Sequence, residues 1–361
     1  MKKSWKGFLA LVMILAMVCG TLTGCGSSSG SSSSTNTASN TAAATGSNTA
    51  AAGNSTTASS SGKSYKVAVI VKKQDMYGAW LALACEAEAK NYPGITCDSF
   101  DYENDETKYL QICDNVSQSG YNLVISQTPK MDARQAIKEI QDSGAIFFHI
   151  SSAGWEYIRD EKLAEGMTCN EYSLGEIVAE QAAKDLPKDA KIVILLGPAG
   201  KQNSIDRDKA YHDVLTKERP DVQILDEQIA NWNKDEAMKK MDDWTQAYDH
   251  IDGVLAVNDA MATGAVESLL GNGFTDWDNM YIYGIDGLTD SCTYISKGYM
   301  RASALQDATV YAKKAFELFD QNNQGTINMN DPNWFTFEPS LVTKDNCQKQ
   351  LDYYKEQGLL K

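Results

Sequence analysis

The stretch VAVIVKKQDMYGAWLALACEAEAK, residues 67–90, decides the fold. Residues 67–71 are all apolar and mostly β-branched, so a strand built from them meets water on neither face. From 79 to 90 the period changes: Trp80, Leu83, Ala84 and Ala87 recur at helical spacing and are expected on one face of a helix. Between the two lie Gln74, Asp75, Met76 and Tyr77. A doubly buried strand followed at once by an amphipathic helix is half of a βαβ unit.

The unit recurs outward from this point. Short apolar runs stand at 123–126, 146–150, 192–196, 254–257 and 281–285, and stretches of helical length separate most of them. In the one at 132–143, Ile137 and Ile140 share a face. About ten such strands exceed one small sheet, and the chain from Tyr65 onward suits two lobes. The expected class is α/β, with two Rossmann-like, doubly wound lobes.

Ligands of such sheets sit beyond the carboxyl ends of the strands. The residues there are Asp75 and Tyr77, Ser126 and Gln127, Ser151 and Ser152, Gly197 to Gly200, Asn231 and Trp232, Asn258 and Asp259, Asp286, and Gln306. Carboxylates and amides take paired hydrogen bonds from vicinal hydroxyls. Aromatic faces cover the C–H face of a sugar ring. At any one of these positions helix capping explains Asp or Asn equally well. Eight strand ends of one chemical character point to a sugar-like ligand.

The N-terminus reads as an export signal. Lys2, Lys3 and Lys6 precede an uncharged apolar run at 8–18, too short to span a bilayer comfortably. Leu22-Thr23-Gly24-Cys25 has the form of a bacterial lipobox, making Cys25 the expected lipidation site and 1–24 the signal peptide. Residues 26–62 are almost wholly Ser, Thr, Asn, Ala and Gly, without charge or aromatic side chain, so 25–64 is expected to be a lipidated, disordered tether. The expected place is the outer face of a cytoplasmic membrane, in a Gram-positive cell.

Charge and composition exclude other classes. The net charge of −15 and the absence of a basic stripe argue against nucleic acid. Six cysteines beyond the signal region are widely spaced with no C-x-x-C, which gives metal little support and favours buried thiols, with one disulfide left open. Three histidines occur without H-E-x-x-H or G-x-S-x-G, so no enzyme is expected. A DNA-binding regulator of similar fold needs a helix-turn-helix where this sequence has its export signal.

With these motifs in order, the stretch from Tyr65 to Val342 resembles the type I periplasmic substrate-binding proteins of the ribose/galactose branch. K-K-Q-D-M-Y is similar to the galactose-binder pattern, implying that Asp75 bonds the sugar and Tyr77 stacks on it. N-E-Y-S-L-G at 170–175 resembles the first crossover between lobes, and A-N-W-N implies Trp232 as a second stacking ring. V-N-D-A-M-A-T-G-A at 257–265 gives Asn258, G-I-D-G gives Asp286, and A-L-Q-D gives Gln306 at another crossover. The resemblance implies three crossover strands and hinge closure. The lobes are then 65–169 with 307–337 and 170–306 with 338–361.

Two departures stand out. The family's cationic pair after the fourth strand is Ser151-Ser152 here. Its arginine after the first strand of the second lobe falls on Ile205, with Arg207 matching a neighbour that is not the main ligand contact. Trp155 beyond the altered loop offers extra stacking or is a packed surface ring. Asp320, Asn322, Gln324 and Asp331 have calcium-loop spacing, but the Gln, the final Asp and Pro332 favour a polar turn, and no cofactor is expected. The expected function is monomeric capture of a sugar for an ABC permease; the alternatives are reporting to a sensor kinase or chemoreceptor, or binding nucleosides or polyols.

Overall fold

The computed structural model describes residues 63–151 and 155–360, with Trp155 described in its backbone alone. The signal peptide, Cys25, all but the last two tether residues and Ser152 lie outside them, as does the side chain of Trp155. Among the described residues no helix is long and apolar enough to cross a membrane.

Strand and helix alternate through the first lobe: β1 (Tyr65–Val71), α1 (Met76–Ala89), β2 (Ile95–Asp101), α2 (Glu106–Gln118), β3 (Leu123–Ser126), α3 (Arg134–Asp142), β4 (Ile146–Ile150), α4 (Trp155–Asp160) and β5 (Glu165–Cys169). The second lobe runs α5 (Glu171–Asp185), β6 (Lys191–Leu196), α6 (Gln202–Glu218), β7 (Gln223–Ile229), α7 (Lys234–Ala247), β8 (Gly253–Ala256), α8 (Asp259–Gly271), β9 (Tyr281–Asp286), α9 (Thr289–Lys297) and β10 (Ala302–Leu305). The polypeptide then returns through α10 (Ala308–Asn323) and β11 (Trp334–Phe337), and ends on β12 (Ser340–Thr343) and α11 (Cys347–Glu356).

Two six-stranded sheets result, ordered β11-β5-β4-β3-β1-β2 and β12-β10-β9-β8-β6-β7. Every pairing in the first is parallel. The second is parallel except for β12, which runs against β10. The central strands β3 and β8 are buried at every residue, as helices on both faces require. The polypeptide passes between sheets at β5–α5, at β10–α10 and at β11–β12. All three passages lie at one end of the sheets, the carboxyl ends of β5, β10 and β11.

One expectation is corrected by helix geometry, and the segment with calcium-loop spacing proves partly helical. Leu83 is 39% exposed, and Leu81, fully buried, takes its place on the inner face of α1 beside Trp80, Ala84 and Cys85. The helix is apolar on almost every side, so residue spacing alone does not select the stripe. Asp320 and Asn322 lie inside α10, where Gln324 Nε2 donates to Asp320 Oδ2 at 2.7 Å and Asn322 Oδ1 accepts from the Met329 N–H at 3.0 Å. A helical turn holds those side chains where the spacing suggests a loop. The cysteines at 85, 97, 113, 169, 292 and 347 are free thiols, all buried but Cys97.

Candidate ligand-binding cleft

The strand-end residues of both lobes face one cavity of about 490 Å³. Asp75, Tyr77, Gln127 and Ser151 line it from the first lobe, and Trp232, Asn258, Asp286 and Gln306 from the second. Ser126 does not reach it. As the last residue of β3 it alternates away from Gln127, is fully buried, and shares a 2.9 Å hydrogen bond with the Tyr109 hydroxyl.

Capping fixes two of these side chains. Asp75 Oδ1 accepts from the Gly78 N–H at 2.5 Å at the start of α1, and Asn258 Oδ1 accepts from Met261 N–H at 3.0 Å at the start of α8. Each cap satisfies an orphan helix donor and orients the rest of its side chain at the cavity wall. Burial raises the Asp75 carboxyl above its usual range, against the pull of the Gly78 N–H and of Lys72, whose Nζ is 3.8 Å away.

Tyr77 and Gln306 tie the lobes together. The Tyr77 hydroxyl donates to the Gln306 carbonyl at 3.0 Å. The Gln306 Nε2 donates to Ser151 Oγ at 3.3 Å and to the Tyr311 hydroxyl at 3.2 Å, while Oε1 accepts from Arg207 Nη2 at 2.9 Å. The amide expected to bind ligand thus braces the crossover, and Tyr77 is 8% exposed with its hydroxyl committed.

Arg207, which the family pattern places beside the main ligand contact rather than at it, stands in the cavity wall on α6 and is 3% exposed. Its Nε donates to Glu171 Oε2 at 2.8 Å and its Nη1 to the Val257 carbonyl at 2.8 Å. Asp286 Oδ1 lies 3.8 Å from Nη1. The other oxygen, Oδ2, is buried without a hydrogen-bond partner. Burial pushes the Asp286 carboxyl well above its usual range although Arg207 pulls it down. Asp286 lines the cavity, so its carboxyl group brings one unused hydrogen-bonding atom to that wall.

The backbone is strained at this rim. Ser151, Asn231, Trp232 and Asp286 have φ of 45°, 53°, 62° and 135°, the left-handed side that costs a non-glycine residue about 1–3 kcal/mol. Gly197 makes the Trp232 position available, since a Cβ there would stand 2.3 Å from the indole. The Arg207 guanidinium is 5.8 Å from the centre of that ring. Lys72, Tyr102, Thr128, Lys130 and Lys201 also line the cavity and are absent from the residues expected there. Lys72, Thr128 and Lys201 follow strand ends closely enough that the same rule could have found them. Ile205, where the resemblance places the family's arginine, is 47% exposed.

Residues 67–326 match the family model for the periplasmic binding protein domain. The protein is similar to the xylitol-binding protein of Mycolicibacterium smegmatis, 28% identical over 252 residues that make up 69% of each sequence. It is 27% identical over 254 residues to the D-apiose import binding protein of Paraburkholderia graminis, covering 70% of this sequence and 78% of that one. The crystal structure of a galactofuranose binding protein superposes with a TM-score of 0.70 at 20% identity, over 81% of this protein and 99% of the other. The chain therefore belongs to the type I periplasmic binding proteins of the ribose/galactose branch, substrate-binding proteins of transport rather than enzymes.

Proposed function

We propose that the protein captures a polyhydroxylated ligand, a sugar or polyol, between its lobes and hands it to an ABC permease. The unpartnered Asp286 Oδ2 in the cavity wall carries the reading. It is an acceptor, fixed near Arg207, that a ligand hydroxyl can satisfy and that closure over an empty cleft would leave unsatisfied. Asn258 and Asp75 add polar atoms around it, and Trp232 adds an apolar face for the C–H groups of a ring or an open polyol. Relatives named for xylitol and D-apiose support the same ligand class. The protein acts as a monomer on the outer face of the cytoplasmic membrane, held by lipid on Cys25, and the tether raises its concentration near the permease.

Thermal shift against sugars, polyols and nucleosides tests the ligand class. A true ligand at 100 times its Kd stabilises by about 2.7 kcal/mol. Asp286→Asn and Trp232→Ala should remove that shift while leaving the far-UV spectrum intact. A shift with nucleosides alone overturns the sugar reading. For the anchor, labelling with radioactive fatty acid should vanish in Cys25→Ser.

A further inference from the structure

Three ammonium groups enter the cavity from different places: Lys72 after β1, Lys130 in the loop after β3, and Lys201 at the head of α6. The first two belong to one lobe and the third to the other. Lys130 Nζ donates to the Gly200 carbonyl across the cleft at 3.0 Å, next to Lys201. Lys72 reaches only the 3.8 Å contact with Asp75. Among the described residues no hydrogen bond or ion pair holds the Lys201 ammonium. Glu106, at the first turn of α2, lines the same cavity and is the acidic group that offsets part of the repulsion on Lys201. No side-chain hydrogen bond caps α6, so its leading N–H groups add positive potential at the same point. Burial and repulsion from Lys72 and Lys130 both press the Lys201 ammonium toward deprotonation.

The other cation of the cavity differs in kind. Arg207 is bound by Glu171, Gln306 and the Val257 carbonyl and has little charge to spare. Asp75, Glu106, Glu236 and Asp286 also line the cavity, but among the described residues only Lys72 of the three lysines has a carboxylate at ion-pair distance, Asp75 at 3.8 Å, so Lys130 and Lys201 are the cations left for an anionic group to meet.

Resting on the sugar or polyol reading above, we propose that the ligand carries an anionic group, a carboxylate or phosphate on the polyhydroxylated skeleton, seated between Lys72, Lys130 and Lys201. The hydroxyls face Asp286 and Asn258, and the anion faces the lysines. A neutral sugar fills only the first half of the cleft. The anion also draws the two lobes together, since its counter-charges sit on both.

The test is isothermal calorimetry on the full-length protein with matched pairs: xylitol against xylonate, glucose against gluconate, and ribose against ribose 5-phosphate. The acid or phosphate of a pair should bind at least about tenfold tighter than its neutral partner. Its affinity should fall as sodium chloride rises, while the neutral partner's stays level. Lys201→Met should erase the difference within a pair and keep the neutral partner's weak binding. The carboxylate and phosphate arms separate the two sources of charge. Neutral members binding as tightly as charged ones, or Lys201→Met leaving the preference intact, overturns the anion and leaves the sugar reading standing. Nucleosides binding where every member of every pair fails overturns the sugar reading itself, and the anion with it.

Discussion

Two regions of the molecule treat buried charge differently, the Arg207 cluster of the second lobe and the β4–β5 strands of the first. In the second lobe Arg207 is matched by Glu171 and Asp286 and spends its N–H groups on Gln306 and the Val257 carbonyl. In the first lobe, His149 on β4 and Glu165 on the adjacent β5 are buried without an ion pair, Lys314 acting on Glu165 only from beyond ion-pair distance. His149 Nε2 and Glu165 Oε2 have no hydrogen-bond partner. Burial pushes Glu165 up to about 7 and His149 down to about 3, so both are held toward neutrality. Pairing holds a guanidinium in place at the cleft wall, whereas burial alone drives His149 and Glu165 toward neutrality. The second lobe thus fixes its cation in a hydrogen-bonded network, and the first contributes shape, caps and two lysines, Lys72 and Lys130.

The largest expected effect breaks the paired side. Arg207→Met leaves Glu171 and Asp286 without their counter-charge and Gln306 Oε1 without its donor. Truncating a buried ion pair costs about 3–5 kcal/mol, and urea denaturation should show a loss of that size together with loss of ligand binding. A variant with wild-type stability would mean that the network is wet and weak.

The neutralised side predicts a pH dependence of opposite signs on its two groups. A carboxyl raised from 4.5 to about 7 contributes stability that is full below 4.5 and lost as pH rises through 7. Its range is at most about 3.4 kcal/mol at about 1.36 kcal/mol per pH unit. A histidine lowered from 6.5 to about 3 contributes stability that is full above 6.5 and lost as pH falls toward 3. Denaturation midpoints at pH 5, 6, 7 and 8 should show Glu165→Gln flattening the alkaline fall and His149→Gln flattening the acid one. If Glu165→Gln leaves the alkaline slope unchanged, Glu165 is charged in the fold and the contrast between lobes fails.

Two glycines sharpen the comparison at a smaller scale. A Cβ on Gly166 would meet the Trp334 ring at 2.4 Å, and one on Gly197 would meet Trp232 at 2.3 Å. Overpacking costs about 1–3 kcal/mol at either position. Gly166→Ala should lower stability and leave affinity intact, because Trp334 stacks on His149 inside the first lobe. Gly197→Ala should lower affinity more than stability, because Trp232 faces the cavity. Equal affinity losses would deny Trp232 a part in binding.

Much of this is legible in residues 67–90 and their repeats, because doubly buried parallel strands give unbroken apolar runs and their carboxyl ends are fixed by topology. Ser126 misleads because the strand-end rule names a pair of residues and the alternation of side chains sends one of them inward. Arg207 escapes the sequence because its meaning lies in partners far away along it, Glu171, Val257 and Gln306. A signal does exist: Ser204, Arg207, Tyr211 and Val214 share the buried stripe of α6, and a cation in such a stripe needs a counter-charge. Gln306 is found by resemblance, yet its bracing role follows only from the meeting of Ser151, Tyr311 and Arg207 around it.

The smallest effect lies where the two walls touch. Ser151 Oγ accepts from Gln306 Nε2, but the same amide also donates to Tyr311, so Ser151→Ala should cost only about 0.5–1.5 kcal/mol. Ser151 also holds φ at 45°, a conformation that glycine adopts freely. Ser151→Gly loses the same hydrogen bond yet relieves the backbone, and should be more stable than Ser151→Ala by about 1 kcal/mol. Both should weaken ligand binding equally if the hydroxyl alone matters. If Ser151→Gly binds more weakly than Ser151→Ala despite its stability, the strained backbone itself pre-organises the cleft, and the first lobe contributes more than shape.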